Sequence, residues 1–225
     1  MKIQYKGLIR EKMMKTPVTI QSDASFFEAR HLMREKGVNH LPVMDKKDRL
    51  IGIVTDRDIR EAAPSDATTL SVHEINYLLE KLKVSDFMTK KEKLVTLHPD
   101  TLVEEAALLM QEKKIGSLPL VEGEKLVGVV TKTDLLDLLI DLFGLKTKGT
   151  RLTIALKDEP GKMVGVLETM KNHGVNVISI ASPTFSVEGK RVAAIRVQTE
   201  DYKPVVKELE EKGYDVLSVD RWGTN

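Results

Sequence analysis

The chain has 225 residues, 41% of them hydrophobic and 31% charged, so two or three folded units are expected and an intrinsically disordered chain is excluded. The formal net charge of +1 gives no global attraction to nucleic acid or to an anionic membrane. The absence of cysteine excludes disulfides, thiolate metal ligands and a cysteine nucleophile, and it fits a reducing compartment.

Two stretches of the sequence bear on the cellular location of the protein. Residues 1–15 lack the apolar core of a secretory signal. The most apolar run, "LLDLLIDLFG" at 135–144, contains two aspartates and is too short to span a bilayer. A cytoplasmic protein without a membrane partner is therefore expected.

The first predicted elements form a β-α-β-β-α unit. "TPVTI" predicts a short strand, and "SFFEARHLMREKG" predicts a helix with an apolar stripe that ends at Gly37. "NHLPVMD" and "RLIGIVT" predict two further strands, followed by a helix that starts near Asp58. Ser25-x-x-Glu28 is typical of a capping box at the start of the first helix.

A polar break around Pro64 and a helix starting at Ser71-x-x-Glu74 lead into a second copy of this unit. With an offset of 77, residues 18–43 and 95–120 are identical at 11 of 26 positions. "KLVTL", "TLVEEAALLMQEKK", "GSLPLVE" and "KLVGVVT" repeat the order strand, helix, strand, strand, and the closing helix starts near Asp134. Thr101-x-x-Glu104 is offset by one position from the first capping box, so at least one of the two is not the cap.

The remaining residues follow another pattern. "RLTIALKD" predicts a strand, "PGKMVGVLETMKNHG" a helix, and "VNVISIASPTF" and "KRVAAIRVQT" two strands separated by a turn. "DYKPVVKELEEKG" predicts a second helix, with Pro204 in its first turn, and "YDVLSVDRW" a last strand. The order β-α-β-β-α-β is that of the ferredoxin-like layout.

Each repeat closes on Gly, two aliphatic residues, Thr, two variable residues and Asp, in "GIVTDRD" and "GVVTKTD". One interpretation is that Thr55 with Asp58, and Thr131 with Asp134, merely cap the following helices. The other is that the same carboxylates accept hydrogen bonds from ribose hydroxyls while free helix N–H groups meet a phosphate. The two interpretations are compatible.

This duplicated motif resembles a tandem pair of CBS domains, a Bateman module. "LKDEPGKMVGVLETMKNHGVNVISI" is similar to the opening of an ACT domain. The order CBS–CBS–ACT resembles acetoin-utilisation regulatory proteins of the AcuB type. The expected fold is an α+β chain, with CBS domain 1 at 1–66, a linker helix and CBS domain 2 at 67–146, and a ferredoxin-like ACT domain at 150–225.

The resemblance implies adenosyl-ligand sensing without catalysis, with AMP, ADP, ATP or a related compound held in two clefts between the repeats. The first implied site comprises Thr16, Pro17, Val18, His40, Leu41, Pro42, Thr55, Arg57 and Asp58. The second comprises Leu94, Val95, Ser117, Leu118, Pro119, Thr131, Lys132 and Asp134. Because an arginine fork holds phosphate well, the Arg57 site is expected to bind phosphorylated adenosine more tightly.

ACT domains often hold an amino acid at the loop after the first strand, which implies a possible effector site at Asp158, Gly161 and Asn176. The alternative is that "EPG" simply opens a helix. An amino-acid sensor with the CBS pair as a dimerisation scaffold is therefore the second functional hypothesis, separable from the first by a thermal-shift screen.

An enzyme is the third hypothesis, and no catalytic motif supports it. The five histidines show no metal-ligand spacing, and no phosphate-binding G-x-x-x-x-G-K-[ST] loop is present, so neither a metal nor a cofactor is expected. The apolar run 135–144 is read as a homodimer contact, with burial inside one chain as the alternative. The implied partner is an unidentified enzyme of acetoin or acetyl-group metabolism.

Overall fold

The computed structural model describes residues 9, 16–64 and 69–223. The chain divides into two compact units, Met1–Leu135 and Leu136–Asn225. Residues 65–68, where the sequence predicts a break, lie outside the described residues.

The first half of the first unit has the predicted element order. It contains β1 (Ile20–Gln21), α1 (Phe26–Lys36), β2 (His40–Met44), β3 (Leu50–Thr55) and α2 (Asp56–Ala62). β1 pairs in parallel with β2, which pairs antiparallel with β3. The Ser25 side chain caps α1, and Gly37 ends it with a left-handed φ of 64°.

The second half starts from the linker helix and repeats this order. It contains α3 (Val72–Lys81), α4 (Val84–Phe87), β4 (Thr89–Lys90), α5 (Val103–Lys113), β5 (Ser117–Glu122), β6 (Lys125–Thr131) and α6 (Lys132–Leu142). β4 pairs with β3 and so completes the sheet of the first half, whereas β5 and β6 form a separate hairpin. The linker thus returns the chain to the first sheet before the second repeat begins.

One sequence expectation fails in this half. "KLVTL" is not a strand, since its Leu97 forms only an isolated bridge to Leu120. Pro99 follows two residues later and has no N–H to donate to a strand ladder. The N-cap of α5 is Leu102, so of the two candidate capping boxes Ser25–Glu28 is formed and Thr101–Glu104 is not, in agreement with the offset between them.

The second unit has the predicted ferredoxin-like order. It comprises β7 (Gly149–Leu156), α7 (Lys162–Asn172), β8 (Val177–Ala181), β9 (Ser186–Val187), β10 (Lys190–Val197), α8 (Lys203–Glu211) and β11 (Asp215–Trp222). The main sheet has the order β11-β7-β10-β8, and the short β9, which the sequence did not predict, pairs with β10.

One face of this sheet packs against the two helices. The cluster that joins them consists of alternate strand residues and the inner faces of α7 and α8, including Leu152, Ile154, Ile195, Met170 and Leu209. Since side chains alternate along a strand, the intervening residues of β7 and β10 face away from the helices. Among the described residues, no helix is long and apolar enough to cross a bilayer.

Candidate functional site

The two repeated Thr–Asp pairs adopt the same geometry. The backbone N–H and the hydroxyl of Thr55 both donate to Oδ2 of Asp58, at 2.7 Å each, and the Asp58 N–H donates back to the Thr55 hydroxyl at 3.3 Å. Thr131 and Asp134 repeat these bonds at 2.7, 2.6 and 3.3 Å. The capping interpretation is therefore confirmed.

The same geometry leaves the second oxygen of each carboxylate available. All recorded hydrogen bonds to Asp58 and Asp134 reach Oδ2, and within the described part of the chain Oδ1 has no hydrogen-bond partner. Both side chains are half-buried at the edge of a cavity. The capping bonds fix the carboxylate, and Oδ1 can accept a hydrogen bond from a ligand hydroxyl.

The Asp58 cleft is a cavity of about 570 Å³ lined by both repeats. The first repeat supplies Thr55, Arg57 and Asp58 from the start of α2, together with His40. The second repeat supplies the segments Lys93–Val95 and Lys114–Ser117.

The Asp134 cleft, of about 360 Å³, is the counterpart under the repeat alignment. Thr131, Lys132 and Asp134 line it together with residues 17–18 and 37–40 of the first repeat. Each cleft thus combines the Thr–Asp pair of one repeat with segments of the other repeat that precede its strands.

This arrangement corrects the predicted composition of the sites. Leu94, Val95 and Ser117 were assigned to the Asp134 site but line the Asp58 cleft, whereas Pro17 and Val18 were assigned to the Asp58 site but line the Asp134 cleft. The prediction placed the clefts between the repeats but took the residues of each site from one repeat. Because the two repeats pack against each other, each cleft instead combines residues of both.

Five predicted residues line neither cleft. Thr16 is exposed outside both, and four strand residues are buried: Leu41, Pro42, Leu118 and Pro119. Leu41 and Leu118 have no exposed surface. They were predicted to contact the base, but they form the core beneath the clefts.

The Asp58 cleft carries more positive charge than the Asp134 cleft. Its lining includes four cationic residues, Arg57, Arg60, Lys93 and Lys114, and three acidic ones, Asp56, Asp58 and Glu61. The lining of the Asp134 cleft includes Lys132 and Asp134 as its charged pair. With four cations against three acids, the formal charge of the lining is +1 in the Asp58 cleft, whereas Lys132 and Asp134 cancel in the other cleft.

The four cationic residues differ in whether they form an ion pair. Arg57 lies 2.7 Å from Glu61, and Arg60 lies 3.1 Å from Asp56. Lys93 and Lys114 form no ion pair with any residue that the structure describes. Sequence reasoning singled out Arg57 and missed both lysines.

Lys114 has an unusual backbone. It adopts a left-handed φ of 55°, a conformation that disfavours residues with a side chain, and its counterpart in the first repeat is Gly37. The signal was present in the repeat alignment, where lysine replaces glycine at a helix end.

His40 lies where the two clefts meet. A Cβ added to Gly116 would lie 3.0 Å from Nε2 of His40, so glycine permits this approach between the repeats. Burial lowers the pKa of His40, an effect opposed by the carboxylates of Asp58 and Asp56. The net effect favours the neutral form of the His40 ring.

The possible effector residues of the second unit are not brought together. Asp158 lies after β7 and pairs with Arg191 at 3.2 Å, and Gly161, with a φ of 85°, precedes α7. Asn176 lies at the other end of the sheet, where its backbone carbonyl accepts from the N–H of Gln198 at 2.8 Å. One copy of the chain therefore does not enclose a site from all three residues, because the length of the strands separates them.

No cluster of three or more metal-ligating side chains occurs in residues 9, 16–64 and 69–223.

Two family models match the chain, the CBS domain at residues 9–65 and 84–141 and the TTHA0829-like ACT domain at residues 148–220. A CBS domain-containing protein of Dictyostelium discoideum is 37% identical over 136 residues, which cover 60% of this chain and 92% of that protein. The inosine-5'-monophosphate dehydrogenase of Aquifex aeolicus is 32% identical over 67% of this chain, but the match covers only 26% of the enzyme.

A solved structure with a TM-score above 0.5 has the same fold. A putative acetoin utilization protein (AcuB) from Vibrio cholerae is 28% identical, with a TM-score of 0.51, over 62% of this chain and 94% of that one. The CBS pair of protein MJ0100, crystallised with 5'-methylthioadenosine and S-adenosyl-L-methionine, is 28% identical over 59% of this chain and 94% of that one, with a TM-score of 0.49. The predicted family and fold class are confirmed, and the chain belongs to the CBS-domain family, with a tandem CBS pair followed by an ACT domain of the TTHA0829-like type.

Proposed function

We propose that this protein is a cytoplasmic regulatory protein that binds an adenosyl ligand in the Asp58 and Asp134 clefts. The observation that carries the proposal is the free Oδ1 of each capping carboxylate at the edge of a cleft. A carboxylate held in place by two donors on Oδ2 can accept from the ribose hydroxyls through Oδ1 without reorganising. The ring of His40 and the aliphatic side chains of the opposite repeat supply a wall for the base.

The Asp58 cleft is proposed to take the phosphorylated form of the ligand. Lys93 and Lys114 present ammonium groups without an ion-pair partner among the described residues, and Arg57 can exchange Glu61 for a phosphate. The Asp134 cleft has Lys132 as its one lysine and is better suited to an adenosyl compound with less negative charge.

Regulation follows if the ligand binds one arrangement of the two repeats more tightly than another. Likeness to the Vibrio cholerae protein supports acetoin or acetyl-group metabolism as the setting and an enzyme of that metabolism as the partner. The exposed leucines of α6, Leu136 and Leu139, support a homodimer. The proposed role is control of another enzyme without catalysis.

The test is calorimetry on nucleotide-free protein with adenosine, AMP and ATP, comparing wild type with Asp58→Asn and Asp134→Asn. Asparagine can still accept from the threonine through its carbonyl, but it loses the charge. Each single change should weaken binding in its own cleft by about 1.5–3 kcal/mol, or about tenfold to a hundredfold, and the double change should remove both.

Glu74→Gln is the matched control. Ser71 donates to Glu74 through its N–H at 2.8 Å and its hydroxyl at 2.7 Å, which is the same box away from either cleft. This variant should bind as wild type does. Folded wild-type protein that gives no heat with any of the three ligands would refute the proposal.

A further inference from the structure

Another cavity, unrelated to the two clefts, lies within the ACT unit, on the face of the sheet opposite the helices. It has a volume of about 820 Å³ and is lined by Arg151, Ser179, Ala194 and Arg196 of the sheet and by Trp222 at the end of β11. The segment around Phe143–Leu145 covers one side. The Ser179 hydroxyl donates to the Phe143 carbonyl at 3.0 Å, and the Trp222 indole N–H donates to the Leu145 carbonyl at 2.5 Å.

Arg196 is the unusual group in this cavity. It is only 5% exposed, and its Nε is the one buried side-chain nitrogen or oxygen without a hydrogen-bond partner in the described part of the chain. The recorded hydrogen bond of the guanidinium runs from Nη2 to the Thr147 carbonyl, at a long 3.5 Å. Its charge centre lies 5.1 Å from the Trp222 ring.

The surroundings of Arg196 do not neutralise it. Arg196 forms no ion pair with a described carboxylate, and both burial and neighbouring Arg151 lower its pKa. Arginine nevertheless stays protonated in proteins, so the fold holds a buried charge without a counterion. Such a group is costly unless something else is bound to it.

The rest of the lining indicates the chemistry of that ligand. Two arginines, Arg151 and Arg196, line the cavity together with one carboxylate, that of Asp220, which favours an anion. Arg221 also borders it, but its guanidinium lies 5.8 Å from the ring of Tyr202, which packs on the helix side of the sheet. Most of the remaining wall is apolar and includes Phe143, Leu145, Pro183, Phe185 and Trp222. A free guanidinium edge matches the two oxygens of a carboxylate, and the apolar wall matches a hydrocarbon body.

We propose that this cavity is a binding site for a small organic carboxylate with an apolar body. The Nε and Nη edge of Arg196 binds the carboxylate, Arg151 adds positive potential, and the aromatic side chains cover the hydrocarbon. The site is distinct from the loop of Asp158 and Gly161. Arg191, which pairs with Asp158, is five residues from Arg196 along β10, or about 17 Å.

Trp222 provides a direct readout, because it is the one tryptophan of the chain and lies in the cavity. The experiment follows its fluorescence while the full-length protein is titrated with cyclohexanecarboxylate. The matched probes are cyclohexanecarboxamide, which has the same shape without the charge, and inorganic phosphate, which has charge without the apolar body. Cyclohexanecarboxylate should bind at least tenfold more tightly than either.

Arg196→Met should weaken binding of the carboxylate about tenfold to a hundredfold. Because methionine replaces an uncompensated buried charge with an apolar side chain, the melting temperature should not fall. Arg196→Lys, which keeps the charge but loses the fork, is the second variant if the first does not fold, and it should recover only part of the affinity. Arg191→Met, an equivalent change at the exposed pair with Asp158, should bind as wild type does.

Several results would overturn the proposal. Equal affinity for the carboxylate and the carboxamide, or undiminished binding by Arg196→Met, removes the role of the guanidinium. Loss of binding in Arg191→Met alone moves the site to the Asp158 loop. If the Trp222 fluorescence changes with protein concentration but with none of the three probes, the cavity is instead occupied by a second copy of the chain. Asp58→Asn should leave the titration unchanged, so failure here is distinct from failure of the adenosyl proposal.

Discussion

Replacing Lys114 with glycine should raise stability and lower affinity for phosphorylated ligands at the same time. Lys114 ends α5 with a left-handed φ of 55°, whereas Gly37 ends α1 at 64° in the equivalent place. A lysine retained where glycine is the favoured residue suggests that its side chain has a use in the cleft that it lines. The variant Lys114→Gly separates the backbone cost from that use.

The magnitude follows from two opposed effects. Relief of the left-handed conformation stabilises the folded state by about 1–2 kcal/mol, and the greater freedom of glycine in the unfolded chain removes about 0.5–1 kcal/mol of this. The expected net gain is about 0.5–1 kcal/mol. Loss of an exposed ammonium about 4 Å from a phosphate costs about 1–2 kcal/mol of binding, which is about fivefold to thirtyfold.

The assay combines urea unfolding with calorimetry. Lys114→Gly should bind adenosine as wild type does and ATP about fivefold to thirtyfold more weakly, since only ATP carries the phosphates. Gly37→Lys is the mirror variant: it should destabilise the fold and strengthen ATP binding in the Asp134 cleft, where the space around Gly37 is open. An unchanged ratio of ATP to adenosine affinity in Lys114→Gly would show that the strained lysine has no part in phosphate binding.

Three further predictions concern the fold and its assembly. Hydrogen bonds from Lys212 and His173 lower the pKa of Glu208 from 4.5 to about 2 in the folded protein. The unfolded chain therefore binds a proton at a higher pH than the folded one, and the stability should fall as the pH drops from 4.5 towards 2. A Glu208→Gln variant should lose this part of the acid sensitivity in thermal melts recorded against pH. Gly165→Ala should destabilise the protein by about 1–3 kcal/mol in urea unfolding, although alanine has the higher helix propensity. The reason is that the added Cβ would lie 2.2 Å from the Tyr214 hydroxyl. If this clash is the cause, the second change Tyr214→Phe should recover most of the lost stability. Leu139→Lys should convert a dimer into a monomer in sedimentation, and a wild-type monomer at micromolar concentration would contradict the proposed dimer.

The sequence predicted local geometry well where the determinants are close in the chain. The Thr55–Asp58 box depends on two residues three positions apart, and the repeat at Thr131–Asp134 reinforced it. Gly37 at the end of α1 is local in the same sense. The order of elements in the ACT unit followed from hydrophobic periodicity alone.

What the sequence did not predict depends on contacts between distant residues. Leu94 and Val95 face Asp58, and not Asp134, because the two repeats pack against each other, and no periodicity within one repeat encodes that exchange. To predict that Asn176 lies far from Asp158, one must know which ends of the strands lie next to each other in the sheet. Arg196 did have a sequence signal, since it is a charged residue within the apolar strand "VAAIRV", but only the structure shows that its Nε lacks a partner.

The shared wall of the two clefts has a consequence for regulation. Asn39, His40 and Gly116 line both cavities, so a ligand that fills one of them contacts groups that the other ligand also meets. Under the proposed function, we expect the affinities of the two clefts to be coupled, and by linkage each ligand would then change the affinity of the other by the same factor. Calorimetry of one ligand with the other already bound measures this factor.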